Sequence, residues 1–265
     1  MELGPELYAL AVAAGWLAGL INTLAGSGSL VALAALMAMG LPAPVANGTN
    51  RIGVLVQSAV ALATLKAHGT QRPTGLVWIV ASTTAGALIG AWIATGIDAQ
   101  ALEWIIIAVM WTMLLLVLAR PAKWLREHSK EGSGRPTVAR VLLFVVVGAW
   151  GGFLQVGVGI LLLAVLVMVA GKQIIEATAV KLTVVLVYTV GTLVIFVIYD
   201  QVVWRLGLVM ALGQGVGAWM GARFAATSSR APIWIRRLLV VVILVAAVEL
   251  MGGFGWLWER ITEIG

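Results

Sequence analysis

The sequence predicts an all-α polytopic membrane protein with an inverted two-fold repeat, each half a broken helical hairpin plus three transmembrane helices. Three observations carry this prediction. Of 265 residues, 62% are hydrophobic and 11% charged, with a mean hydropathy of +1.05; a soluble domain has about 45–50% apolar and about 25% charged residues. Several apolar runs exceed the roughly 18 residues that cross hydrocarbon, and they lack the alternation of a barrel strand, so the spans are helices. Finally, a polar, glycine-rich break interrupts an apolar run twice, as Asn22-Thr23-Leu24-Ala25-Gly26-Ser27-Gly28-Ser29 and as Gln155-Val156-Gly157-Val158-Gly159. Two copies of such a break suggest a repeat with a polar site where the copies meet.

The first repeat is read over residues 1–119. Its opening run, Leu7 to Ala25, is long enough to cross or to dip deeply. The arm after the break, Leu30 to Leu41, is too short to span alone at about 1.5 Å per residue. Residues 7–41 therefore form a hairpin, re-entrant or with one full arm, and Pro42 and Pro44 close it. Helices at 51–66, 75–96 and 103–119 follow, then a basic linker over 120–140. The second repeat, 141–265, restarts with a hairpin over 141–171, its second arm Ile160 to Ala170 ending at Gly171, and continues with helices at 180–199, 203–225 and 236–256. Its break reads as the shorter of the two. Gly86-x-x-x-Gly90-Ala91-Trp92 recurs as Gly213-x-x-x-Gly217-Ala218-Trp219, an offset of 217 − 90 = 127 residues. Either motif alone is a small-residue packing face; their equivalent places mark the repeat.

Positive residues orient the chain. The linker carries Arg120, Lys123, Arg126, Lys130, Arg135 and Arg140. With the loops holding Lys66 and Arg72, and Arg223, Arg230, Arg236 and Arg237, it is expected in the cytoplasm. The other connections are acidic or balanced, Asp98 with Glu103 and Asp200 with Arg205, and Glu2, Glu6, Glu259 and Glu263 place both termini outside. Three ordinary crossings per half is an odd number, so the halves lie upside down relative to each other. Because the net charge of +6 sits mainly in loops flanking spans, it argues for topology and against a nucleic-acid partner. The absence of cysteine excludes thiolate metal sites and disulfides. The N-terminus lacks a basic leader region, so the first helix is expected to persist. No nucleophile triad, metal cluster or phosphate-binding loop is legible, so neither an enzyme nor a cofactor is expected.

Arg51 and Lys181 each open the second element of a half, aligned within about one residue. A cation at depth is costly and marks a functional site, unless it sits at an interface and snorkels to water. Near a pseudo-two-fold axis, the two would form an anion site. Helices starting at mid-membrane add unpaired N–H groups and positive dipole ends. Gly26, Gly28, Gly157 and Gly159 let the backbone approach a ligand. Asn22, Gln155, Ser27, Ser29, Thr49 and Asn50 complete the expected binding set, though such groups also serve as helix–helix glue. Glu249 and Glu176 are candidate carriers of a coupling proton, Glu176 being read instead as a partner of Lys181 or a cap of its helix. His68 and His128 fall in loops and receive no role.

The stretch Gly19-Leu20-Ile21-Asn22-Thr23-Leu24-Ala25-Gly26-Ser27-Gly28-Ser29-Leu30, with Gly40-Leu41-Pro42 and Ala46-x-Gly48-Thr49-Asn50, resembles the TauE/SafE sulfite exporters, the DUF81-type anion permeases. Gly151-Gly152-Phe153, Gly157-x-Gly159 and Ala177-x-x-x-Lys181 fit the second block of that family. The resemblance implies a secondary transporter in the bacterial inner membrane. It would export sulfite or a related small organosulfonate or oxyanion by alternating access, with a proton link among the options. A passive small-anion channel, or a permease for another small carboxylate or sulfur anion, is the alternative. The expected partners are a small anion and the lipid bilayer, with the oligomeric state left open. Arg51→Ala or Lys181→Ala is expected to abolish anion binding with folding near normal.

Overall fold

Pro42 starts a helix as well as following one. In the computed structural model it is the N-cap of a helix over Ala43–Ala67, with Pro44 in the first turn, where a missing N–H costs nothing because that turn has no internal acceptor. This helix begins 51 − 43 = 8 residues before the expected start, so Arg51 lies in its third turn instead of opening it. The preceding arm is stopped by Gly40, in the left-handed region at φ +87°. Its turn is closed by bonds from Gly40 N–H to Met37 O and from Leu41 N–H to Leu36 O, the pairing that satisfies the last carbonyls of a helix.

The structure describes residues 5–68, 76–118, 136–170 and 174–227. Among these are nine helices and no strand: α1 Pro5–Ala25, α2 Ser29–Ala38, α3 Ala43–Ala67, α4 Leu76–Thr95, α5 Ala99–Leu118, α6 Val138–Phe153, α7 Val158–Met168, α8 Ile174–Ile198 and α9 Trp204–Thr227. Elements α4 to α9 lie within a few residues of the expected spans, α8 starting six residues early (180 − 174 = 6). The expected helix at 236–256, most of the linker, Gly171, Arg72, His128, Arg230, Arg236, Arg237, Glu249, Glu2, Glu259 and Glu263 fall outside the described residues, while Glu6 lies in the first turn of α1.

Among the described residues, three helices contain stretches long and apolar enough to cross a membrane: Glu6–Leu24 in α1, Leu76–Thr95 in α4 and Glu176–Ile198 in α8. The chain is thus a helical membrane protein. Its outward faces are apolar stripes at one-turn spacing, Val190, Val194 and Ile198 on α8 and Leu208, Leu212 and Val216 on α9, as lipid contact requires. Polar residues point inward instead. α3 buries Asn47, Thr49, Asn50, Arg51, Gln57 and Ser58, so the ordinary crossing expected at 51–66 carries a polar inner face. Leu30, Leu33 and Leu36 of the first hairpin share a core with Leu154 and Val156 of the second break.

Glycines set the closest helix contacts. A Cβ on Gly86 or Gly90 of α4 would strike the carbonyls of Val145 or Ala149 on α6, and one on Gly148 or Gly152 of α6 would strike those of Thr83 or Ala87 on α4. The same pattern joins α9 to α1. Gly213 and Gly217 meet Val12 O and Trp16 O, while Gly15 and Gly19 meet Met210 O and Gln214 O. The offsets are constant: 152 − 19 = 133 between α1 and α6, and 217 − 90 = 127 between α4 and α9. The α4 motif therefore packs on α6 and the α9 motif on α1, as small-residue faces in membranes do.

Candidate functional site

The two breaks meet backbone to backbone. α1 winds regularly through Asn22 to Ala25 and stops where Gly26 adopts φ +82°. A Cβ on Gly26 would lie 2.6 Å from Gly159 C and Cα, and one on Gly159 would strike Gly26 Cα, so neither position admits a side chain. Against expectation, the second break is the longer, residues 154–157 against 26–28. There both Gln155 (φ 63°) and Gly157 (φ 68°) are left-handed, so the chain needs an extra residue to turn.

Each break exposes N–H groups that the helices leave unpaired. Hydrogen bonding in the first resumes at Leu30, whose N–H reaches Ser27 O at 3.1 Å, and in the second at Ile160, which reaches Gly157 O at 3.0 Å. The N–H groups of Ser27, Gly28 and Ser29, and those of Gln155 to Gly159, find no acceptor among the described residues. The buried hydroxyls of Thr23, Ser27 and Ser29 are likewise without a partner among them. Unpaired buried donors are rare in folded proteins, and here they cluster.

The two cations lie in the interior, 0% exposed for Arg51 and 2% for Lys181, so neither snorkels. Both address the C-terminal end of a first hairpin arm, where helix carbonyls carry partial negative charge. Arg51 Nη1 donates to Gly151 O at 2.8 Å and to Gln155 Oε1 at 2.6 Å; Nη2 donates to Gly152 O at 2.6 Å and Asn47 Oδ1 at 3.3 Å. Asn47 Nδ2 covers the next carbonyl, Phe153 O, at 2.7 Å. The Phe196 ring lies 5.0 Å from the guanidinium carbon, a cation–π distance. Lys181 Nζ makes two longer bonds, to Asn22 O at 3.4 Å and Thr23 O at 3.3 Å. Neither cation pairs with a carboxylate among the described residues, and the bonds of Lys181 go to carbonyls, not to Glu176, which sits in the first turn of α8.

The other expected site residues divide by their partners. Gln155 is bound to Arg51, and half-buried Asn22 contributes its carbonyl to Lys181. Thr49 faces the α8–α9 loop, where its hydroxyl accepts from Val203 N–H at 2.9 Å. Asn50 Oδ1 accepts from Gln214 Nε2 at 3.2 Å, leaving its Nδ2 unpartnered among the described residues. Thr49→Val should strand the Val203 N–H at a cost of about 1–3 kcal/mol, measurable as a lower midpoint in a detergent thermal melt. Gln214, Asn47, Gln57 and Tyr188 belong to the same buried polar interior and were not picked out by sequence reasoning. A glutamine inside an apolar run was the available signal for Gln57 and Gln214; Asn47, one turn before Arg51, became legible only with α3 extended to Ala43.

The family described as sulfite exporter TauE/SafE matches residues 11–250. A "Probable membrane transporter protein ORF9" from Sinorhizobium sp is 28% identical over 251 residues, covering 94% of each chain. The "Probable membrane transporter protein YfcA" of Escherichia coli (strain K12) is 26% identical over 249 residues, 94% of this chain and 91% of the relative. A "Probable membrane transporter protein" of Haemophilus influenzae is 24% identical over 260 residues, 97% and 99% of the two chains. No solved structure matches the chain.

Proposed function

The chain belongs to the TauE/SafE family of membrane transporters, and from that premise we propose that it exports sulfite or a related small organosulfonate across the inner membrane. The observation that carries this reading is the pairing of two buried cations with hairpin breaks where a cluster of N–H and hydroxyl groups lacks a partner, the cations having no carboxylate and the donors no acceptor among the described residues. An interior of donors with net positive charge favours an oxyanion and repels cations. A tetrahedral or pyramidal sulfur oxyanion has several acceptor oxygens to meet such a set. The anion is held at the midplane between two inverted repeats, both termini lie outside, and alternating access moves one half against the other around the site. The exchanged glycine contacts of α1 with α9 and of α6 with α4 support this symmetry.

Titration calorimetry of the detergent-purified protein with sulfite, sulfate, sulfoacetate and chloride tests the reading, together with sulfite release from proteoliposomes. Saturable binding and slow, saturable efflux of sulfite are expected. Tight binding of another anion keeps the architecture and changes the substrate. Folded protein that binds none of the four overturns the proposal, and large, weakly saturating currents in planar bilayers would replace the transporter with a channel.

A further inference from the structure

Arg51 and Lys181 occupy similar places in sequence but not in register. Gly191 of α8 faces the Leu88 side chain of α4, and Gly215 of α9 faces Val56 and Val60 of α3, at 3.3 and 3.9 Å from an added Cβ. Since 215 − 88 = 127 is the α4-to-α9 offset, these are the same contact in two copies; of the two α3 neighbours, Val60 gives an α3-to-α8 offset of 191 − 60 = 131, the one within a residue of the sequence alignment of Arg51 with Lys181. Lys181 then corresponds to Asn50 (181 − 131 = 50), and Arg51 corresponds to Leu182 (51 + 131 = 182). A step of one residue turns a helix by about 100°, so the two cations face different neighbours.

Their hydrogen bonds differ accordingly. The Nη groups of Arg51 hold four acceptors, three at the end of α6 and in the break after it and the fourth, Asn47 Oδ1, on α3 itself, which leaves only Nε without a partner among the described residues. Lys181 holds its two carbonyls at 3.3 and 3.4 Å and keeps a third N–H to give. Asn50, its counterpart, also keeps a free donor, because Gln214 occupies its oxygen and leaves Nδ2 unpartnered. Lys181 touches the end of α1 directly, and Asn50 is linked to it through Gln214. Lys181 reaches Asn22 and Thr23 there, while Gln214 packs its backbone on Gly19 and its side chain on Gly53 beside Asn50. The first break follows directly, with the unpartnered Ser27 and Ser29 hydroxyls.

Resting on the anion-transport reading above, we infer that Lys181 and Asn50 are the donors that bind the anion at the first break, and that Arg51 is a positioning residue that holds the second break in shape. The two positions are symmetry-matched but chemically unequal. One supplies charge and the other a neutral N–H, so the site carries a single positive charge for its ligand. That suits a monoanion such as hydrogensulfite or a monosulfonate better than a dianion.

The test is calorimetric titration of sulfite, with transport in proteoliposomes, for wild type, Lys181→Gln, Lys181→Arg, Asn50→Asp and Arg51→Lys. Loss of a charged hydrogen bond is expected to weaken sulfite binding about ten-fold or more in Lys181→Gln. Asn50→Asp, nearly isosteric and still able to accept from Gln214, should weaken it at least as much by adding a like charge. Lys181→Arg should restore most of the affinity, so the result stands even if the glutamine variant folds poorly. Arg51→Lys should leave Kd within about three-fold while lowering kcat and the melting midpoint. Wild-type affinity in both Lys181→Gln and Asn50→Asp would overturn the inference, as would an Arg51→Lys protein that melts normally but no longer binds. Wild type that binds no anion would instead overturn the transport reading on which the inference rests.

Discussion

Gly26→Ala is expected to yield little or no detergent-stable protein. The added methyl meets Gly159 C and Cα at 2.6 Å and the amide nitrogen of Ile160 at 2.8 Å. These are backbone atoms on an opposing break, and no flexible side chain is present to move aside. Residue 26 also sits at φ +82°, where an L side chain costs about 1–2 kcal/mol. Adding the roughly 1–3 kcal/mol of overpacking gives a loss of about 2–5 kcal/mol, a large fraction of the stability of a typical domain. The matched control is Gly96→Ala, whose methyl would find its nearest neighbour, Ile93 O, at 3.7 Å and should change stability by less than about 0.5 kcal/mol. Size-exclusion profiles and thermal melts of the two variants beside wild type read the difference. Equal melting of Gly26→Ala and wild type would mean that the breaks do not touch.

Arg51→Leu should destabilise the fold by about 3–5 kcal/mol, the usual result of removing one member of a buried charged network. The cost arises because Gly151 O, Gly152 O, Gln155 Oε1 and Asn47 Oδ1 lose their donors together, in an interior where unpaired acceptors find no water. Arg51→Lys should recover only part of this, because a single ammonium cannot span the fork that the guanidinium makes. Thermal melting, with limited proteolysis at residues 154–157, reports both effects. A leucine variant that melts with wild type would show that the second break holds its shape without the clamp. This differs from what the sequence suggested, that either cation can be removed with folding near normal. The sequence reveals a buried cation but not whether its protons are already committed.

Much of the architecture was legible because it depends on local properties. Composition and run length identify a helical membrane protein, and Gly26, Gly157 and Gly159 mark the interruptions because an apolar helix has little use for glycine beside polar residues. The Gly86/Gly90 and Gly213/Gly217 motifs were read correctly as packing faces. The start of α3 was missed because Pro42 and Pro44 signal both the end of one helix and the first turn of the next, and only the tertiary context shows which. Likewise, counting polar letters made the second break look short, whereas two left-handed residues, Gln155 and Gly157, lengthen it.

What the sequence by itself determined is the membrane-spanning helical class, the two broken hairpins and a polar interior containing Arg51 and Lys181, since each follows from residue type and spacing along one chain. Only the tertiary structure decided which carbonyls the cations hold and that Gly26 meets Gly159. The acceptors at a helix end are backbone atoms common to every residue, and a one-residue change of register rotates a side chain by about 100°. Which donors remain free for a ligand is therefore a property of the packed helices.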